Sequence, residues 1–260
     1  MKICRFIVPS NNQAYYGALL DNQTIMVVEE SSVYKNTSPV FTEQTFALEE
    51  VELILPVMPS KIVCVGRNYK AHADELGNEV PAEPLLFLKA PSSLVKSGDP
   101  IVLPAQSAKV EHEGELAVII KDQIKNLPSD QNPFDHFLGY LCLNDVTARD
   151  LQKRDGQFTR AKSFDSFCPI GNFIETEADV TDLEISVRLN GIVKQHGRTS
   201  QMIFSVENLI RYISNQMTLL PGDIIATGTP AGVSQLNEQD VVTVEIENVG
   251  ILENPVTKGL

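Results

Sequence analysis

Positive charge is scarce in this sequence. Its 260 residues carry 21 Lys and Arg against 34 Asp and Glu, a formal net charge of -13. Bulk electrostatics therefore argue against a nucleic-acid binder and against a protein held on an anionic membrane, since both need cations to meet phosphate. A small anionic ligand is still allowed, because a metal ion and a few local cations reverse the field inside a pocket. Cysteine is sparse too. Cys4, Cys64, Cys142 and Cys168 lie far apart, and no two have CxxC spacing. That argues against disulfides or a zinc site and predicts buried free thiols in a reducing cytoplasm. No segment approaches the ~20 apolar residues of a membrane helix, and the apolar part of Met1–Pro9 is too short for a signal peptide. There are no internal repeats and no low-complexity tracts. The remaining composition, 43% hydrophobic and 21% charged, is that of a soluble globular chain long enough for one large domain or a small and a larger one.

The most informative stretch is Lys109-Val-Glu-His-Glu-Gly-Glu-Leu-Ala-Val-Ile-Ile120, acidic at its start and unbroken apolar at its end. In a strand, residues two apart share a face, so Glu111, Glu113 and Glu115 line up on one side. Leu116 to Ile120 reads as buried. Buried carboxylates need partners or a metal, and two or three converging ones suit a hard cation. Read alone, the stretch fits equally well a strand whose polar end runs out into solvent.

Residues 1–57 read as short strands and turns. Phe6-Ile-Val8 and Thr24-Ile-Met-Val-Val28 are β-rich, while Ser10-Asn-Asn12 and Asp21-Asn22-Gln23 are turn-like. They predict a small accessory β domain, with the proline-bearing Leu53–Ser60 as linker to a catalytic domain over 58–260. Lys61–Gly66 is a buried strand. The following segment predicts a short helix capped by Asn68 and stopped by Gly77. On it, His72 and Glu75 are three apart and share a face, an imidazole oriented by a carboxylate as a general base requires. The same spacing fits a surface helix with an incidental pair. Residues 78–84 read as an irregular loop, a candidate lid. Leu85–Pro91 is a strand ending in a basic residue. Phe137–Leu143 is an apolar strand that runs into Asn144-Asp145. Asp145 is either a third carboxylate for a metal or a helix N-cap. Arg149, four residues on, can pair with a carboxylate there. Lys162 reads either as a partly buried cation or as an exposed one. Asn190-Gly191 signals a hairpin within Leu183–Lys194. Ser205 caps the best amphipathic helix, which runs to Gln216. Ile224–Val233 is a strand entering a Gly-rich loop whose hydroxyls and amides can bind a carboxylate. It lacks the Gly-Lys-Ser/Thr of a P-loop.

Six of these stretches together resemble the fumarylacetoacetate hydrolase family. They are Val65-Gly-Arg-Asn-Tyr-Lys-Ala-His72, Glu113-Gly-Glu-Leu-Ala-Val118, Asn144-Asp-Val-Thr-Ala-Arg-Asp150, Ala161-Lys-Ser-Phe-Asp-Ser-Phe-Cys-Pro169, Thr199-Ser-Gln-Met-Ile-Phe204 and Ala226-Thr-Gly-Thr-Pro-Ala-Gly-Val233. They occur in family order over residues 61–250, and it is the ordered set that is specific. The resemblance implies an α+β, predominantly β fold: a mixed β-sandwich roll with a small N-terminal β domain. It implies Mg²⁺ or Mn²⁺ on Glu113, Glu115 and Asp145, a His72/Glu75 dyad on a lid helix, and Lys162 as the third catalytic group. It implies substrate contacts from Arg67, Tyr69, Arg149, Gln152 and Thr229, and a homodimer. The chain departs from the family at Val233-Ser234, where a further Gly is common. Glu111 falls where another acid is frequent, and no role is assigned to it.

Such a site implies a small anionic 2-oxo acid as substrate, chelated through its carboxylate and adjacent carbonyl oxygen. The leading expectation is hydrolysis of a C–C bond of a 2,4-diketo acid, of the acylpyruvate or fumarylpyruvate type, with His72 activating water and Lys162 holding the oxyanion. The alternative is oxaloacetate decarboxylation, or keto–enol tautomerisation or isomerisation of an oxo-dioic acid, on the same site. A non-catalytic metal-binding protein would not need the base.

Overall fold

The computed structural model describes residues 1–21, 23–35 and 38–259. The turn expected at Asn22 and residue 260 of the expected second domain lie outside them. Strand outweighs helix, 41% to 18%, so the predominantly β class holds.

The fold is built outward from the strand Gly114–Ile120. All seven of its residues are buried. Leu116, Val118 and Ile120 pack into the largest apolar cluster, while Ala117 and Ile119 pack into a second cluster on the opposite face. A strand covered on both sides has no polar face to show, hence the unbroken apolar run. Each of its large side chains contributes roughly 1.5–3 kcal/mol by burial. The strand pairs antiparallel with Phe137–Asn144 on one side and with Ile224–Ala226 on the other. Ile224–Ala226 runs parallel to Ile62–Gly66, which pairs antiparallel with Leu85–Lys89. These strands belong to a 13-stranded sheet.

A five-stranded sheet covers one face: Ile192–Arg198, Glu184–Leu189, Val241–Ile246, Gly250–Lys258 and Ile101–Leu103. The two layers approach closely at Gly114, where a Cβ would lie 2.3 Å from Val187 Cγ2. The expected hairpin joins Glu184–Leu189 to Ile192–Arg198, with Asn190 and Gly191 both at positive φ, as a type I′ turn demands. The expected helix runs Val206–Gln216, and Ser205 Oγ accepts from Asn208 N–H at 3.3 Å.

The N-terminal strands join the large sheet directly. Lys2–Val8 pairs with Phe173–Glu175, with Gln13–Leu19 and with Glu52–Ile54. The start of the expected linker is thus the strand Glu52–Ile54, because Leu53 and Ile54 find backbone partners in Arg5 and Phe6. One face of these strands has a cluster of its own, around Phe6 and Ile25. The other shares the cluster that holds Ala117 and Ile119. All four cysteines are free and buried, and burial pushes the Cys142 and Cys168 thiols up to about 12. No helix among the described residues is long and apolar enough to cross a membrane.

Candidate metal centre and active-site cavity

The two central strands bring the acids together. Register pairs Gly114 with Asn144 and Glu115 with Leu143, and Asp145 N–H donates to Glu113 O at 2.8 Å, so Asp145 lies across from Glu113 and diagonal to Glu115. One carboxylate oxygen from each of Glu113, Glu115 and Asp145 falls within 4.8 Å of the others. Asp145 caps no helix, since the next one begins at Arg149 with Ala148 as its N-cap. The expected row of three glutamates is broken. His112 and Glu113 interrupt the strand, and Glu111 belongs to a two-stranded ribbon with Thr147. Its carboxylate turns to Arg149 Nε, 2.7 Å, and Lys109 Nζ, 3.0 Å.

Cations surround the triad. Lys162 is buried, not exposed. Its Nζ donates to Glu113 Oε2 at 2.7 Å and Asp145 Oδ2 at 2.6 Å, and it sits 5.0 Å from the centre of the Phe87 ring. Arg149 donates through Nη2 to Glu113 Oε1 and through Nη1 to Gln152 Oε1, the latter at 2.7 Å. Sequence reasoning missed Lys89, the basic end of Leu85–Lys89. Its buried Nζ donates to Asp145 Oδ1 at 2.6 Å. The signal was a lysine ending an apolar strand, where a solvent-bound side chain is the ordinary reading.

These charges set the carboxylates apart. Burial alone would raise Glu113, but the charges of Lys162 and Arg149 outweigh it and hold the group far below the usual carboxylate range. Glu115 moves the opposite way, pushed well up by burial and then by the charges of Asp145 and Glu113. Lys162 is lifted to about 12, because Asp145 and Glu113 outweigh its desolvation. A depressed carboxylate contributes stability above its unfolded pKa and loses it as the pH falls. The metal-free protein is therefore expected to lose melting temperature below about pH 4.5, the ordinary value for Glu113. Melting curves against pH should show that loss reduced in Glu113→Gln; an unchanged acid limb would refute the assignment.

The Gly-rich loop after Ile224–Ala226 does bind a carboxylate, though the protein's own. Gly228 N–H donates to Glu115 Oε2 at 2.8 Å. Glycine is required there, since φ is +101° and a Cβ would stand 2.7 Å from Asn68 Cβ. Thr229 Oγ1 donates to Gly114 O at 2.8 Å and accepts from Gln195 Nε2 at 2.7 Å. Gln195 Oε1 accepts from Gly114 N–H and stands 3.0 Å from His112 Nδ1, so that nitrogen carries the proton. Burial lowers the His112 pKa, which keeps the ring neutral, with Nε2 accepting from Ser234 Oγ at 2.7 Å. This buried chain fixes the loop to the acidic strand, and sequence spacing gave no hint of it.

His72 and Glu75 lie on the short helix Lys70–Glu75, and Gly77 follows it at positive φ as the expected stop. The expected Asn68 cap is a correction: Tyr69 occupies the N-cap position. Asn68 is instead buried. Its Nδ2 donates to Phe204 O and Thr227 O, and its Oδ1 accepts from Phe204 N–H. His72 Nδ1 is 3.5 Å from Glu75 Oε2, longer than a hydrogen bond, while Gly232 N–H reaches both Glu75 oxygens at 3.1 Å.

A cavity of about 430 Å³ opens over the triad, and Arg67, His72, Glu75, Arg149, Gln152, Lys162 and Thr229 all reach its wall. Tyr69 is not among the residues that line it. It is buried against the core, where burial and then the charge of nearby Glu115 push its hydroxyl pKa up.

An all-oxygen set of three converging carboxylates, one of them pushed up by its acidic neighbours, fits a hard divalent cation. The chain belongs to the fumarylacetoacetate hydrolase family: residues 61–257 match the model described as fumarylacetoacetate (FAA) hydrolase C-terminal, and residues 1–56 match one described as Rv2993c-like, N-terminal. Among its relatives are enzymes with printed activities. Human oxaloacetate tautomerase FAHD2A, mitochondrial, is 43% identical over 80% of this chain and 70% of that protein. Oxaloacetate tautomerase YisK of Bacillus subtilis is 39% identical over 81% of this chain and 75% of that protein. A solved structure described as 5-carboxymethyl-2-hydroxymuconate delta-isomerase from Mycobacterium smegmatis superposes with a TM-score of 0.91, at 36% identity, over 100% of both chains.

Proposed function

We propose that the protein is a divalent-metal-dependent keto–enol tautomerase or isomerase of oxo-dioic acids, with oxaloacetate as the leading substrate. The observation that carries this reading is the three-carboxylate site, with His72 on the cavity wall above it, in a chain similar to oxaloacetate tautomerases. Tautomerisation needs only a group that moves a proton to and from carbon, with no water consumed. His72, on the cavity wall, can serve as that group. The printed activities of the relatives support the same choice, so the hydrolase expectation gives way to its alternative.

Glu113, Glu115 and Asp145 would hold Mg²⁺ or Mn²⁺, which when bound supplies a Lewis acid for the carboxylate and carbonyl of a 2-oxo acid. Lys162 Nζ, already aimed between Glu113 and Asp145, hydrogen-bonds the 2-oxygen as negative charge grows on it. His72 takes the C3 proton at Nε2 and returns it to the 2-oxygen, which completes the enol and leaves the imidazole neutral for the next turnover. Arg149 holds Glu113 and Gln152 in place, and Thr229 fixes the loop that carries Gly228. The reading extends to a homodimer working in the cytoplasm.

The test follows the ultraviolet absorbance of the oxaloacetate enol, with Mg²⁺ or Mn²⁺ and again with EDTA, while pyruvate is assayed in parallel. Metal-dependent enol–keto exchange that releases no pyruvate, and that falls at least tenfold in His72→Ala, is expected. Metal-dependent pyruvate release from acetylpyruvate, without exchange of oxaloacetate, would restore the hydrolase reading.

A further inference from the structure

Arg67 stands at the bend between the strand Ile62–Gly66 and the helix Lys70–Glu75. Its φ is +58°, a region that non-glycine residues seldom enter and that gathers at functional sites. The bend cannot relax. The next residue, Asn68, is tied by its side chain to Phe204 and Thr227, and its backbone oxygen accepts from Ile203 N–H at 2.8 Å. Held this way, the half-buried Arg67 side chain lines the cavity over the triad.

The guanidinium has no hydrogen bond and no ion pair among the described residues. The other cations close to the triad are all engaged: Lys89 and Lys162 with Asp145, Arg149 with Glu111 and Glu113, and Lys109 with Glu111. Lys153, also on the cavity wall and unpaired, is exposed to water, which satisfies it. A half-buried arginine offers five donors in a planar fork that matches a carboxylate. A positive-φ backbone and donors with no protein partner among the described residues, at one residue facing one cavity, point to a partner that comes with the ligand.

We propose that Arg67 reads a second carboxylate of the substrate, so that the site selects dianionic oxo-dioic acids over 2-oxo acids with an uncharged tail. The inference rests on the reading of the triad as the anchor for the 2-oxo acid end. Arg67 then takes the far end and fixes which carbon His72 faces.

The experiment compares two ligands that can be neither tautomerised nor cleaved. Malate and 2-hydroxybutanoate share four carbons and a 2-hydroxy acid head, and differ in a distal carboxylate against a methyl group. Calorimetry with Mg²⁺ present should show malate binding to the wild type about 10- to 100-fold tighter, the range for a charge-assisted bidentate pair. In Arg67→Gln the preference should fall to about threefold or less, with 2-hydroxybutanoate unaffected. Arg67→Gly, which suits the positive φ, should lose the preference equally and melt no lower than the wild type. In turnover, Arg67→Gln should raise KM for oxaloacetate and also lower kcat, since the reacting carbon is no longer held before His72. Malate preference surviving in both variants would overturn the proposal, as would its loss in Lys153→Gln instead. Equal binding of the two ligands by the wild type would remove the second-carboxylate site and leave the triad standing. Failure of both to bind with Mg²⁺ or Mn²⁺ would instead refute the metal-site reading, and Arg67's role with it.

Discussion

Glu115→Ala is expected to leave no measurable turnover and to strip the protein of its metal-dependent stabilisation while the fold persists. Glu115 is the triad member without a lysine or arginine partner; its one hydrogen bond is to Gly228 N–H. Burial and two acidic neighbours push its pKa up, so without a metal this carboxylate is a burden on the fold. A raised carboxylate pKa means that stability present at low pH is lost as the pH climbs through the folded value. Alanine removes that penalty, and in EDTA the variant should melt at or slightly above the wild type near neutral pH. In Mn²⁺ the order should reverse. The wild type gains stability by mass action, and the variant gains little, because losing a direct ligand costs more than the ~10- to 100-fold in affinity typical of an outer partner. Thermal melts with and without Mn²⁺ separate the two effects. A variant that keeps the full Mn²⁺ shift would show that Glu115 is no ligand.

Asp145→Ala is expected to act on the fold itself. Asp145 accepts from Lys89 at 2.6 Å and from Lys162 at 2.6 Å, and both ammonium groups are almost wholly buried. Alanine leaves the buried Lys89 without a counter-charge, its remaining acceptor being Val146 O at 3.2 Å, and leaves Lys162 with Glu113. Breaking a buried pair by removing one partner costs about 3–5 kcal/mol, which for a chain of this size lowers Tm by on the order of 10 °C. Lys89→Met combined with Asp145→Ala should recover part of that loss, since one buried cation leaves with its counter-charge. Urea denaturation in EDTA gives both values. If Asp145→Ala alone unfolds within a few tenths of a kcal/mol of wild type, the lysines have another escape and the account fails.

The acids were legible in the sequence because strand alternation and burial are local. Glu113 and Glu115 sit two apart before an apolar run, and Asp145 ends another, so their convergence needs only that the two strands pair. Lys162 and Asp145 each admitted two readings. Lys162 was decided only by three-dimensional packing, which closes Phe87 and the two acids over a side chain that usually stays wet. Lys89 was passed over for the same reason. Asn68 precedes a helix, as caps do, yet the loops at Phe204 and Thr227 claim its side chain. The His112–Gln195–Thr229 chain joins three segments more than 30 residues apart, and no periodicity encodes such a meeting. Arg67 was marked only by resemblance, and its left-handed backbone and missing partner are properties of the folded chain.

The shared apolar layer behind Ala117 and Ile119 ties the first fifty-odd residues to the chemistry without placing any of them in the cavity. Ile3, Tyr16, Ala18 and Val28 share a cluster with Ala117 and Ile119, which lie on the same face of the central strand as Glu115. The N-terminal strands therefore complete the apolar layer that adjoins the acids on that face. Changes in them reach the acids as altered stiffness of one strand, and this portion cannot be exchanged between relatives as a detachable module without refitting the Ala117–Ile119 face.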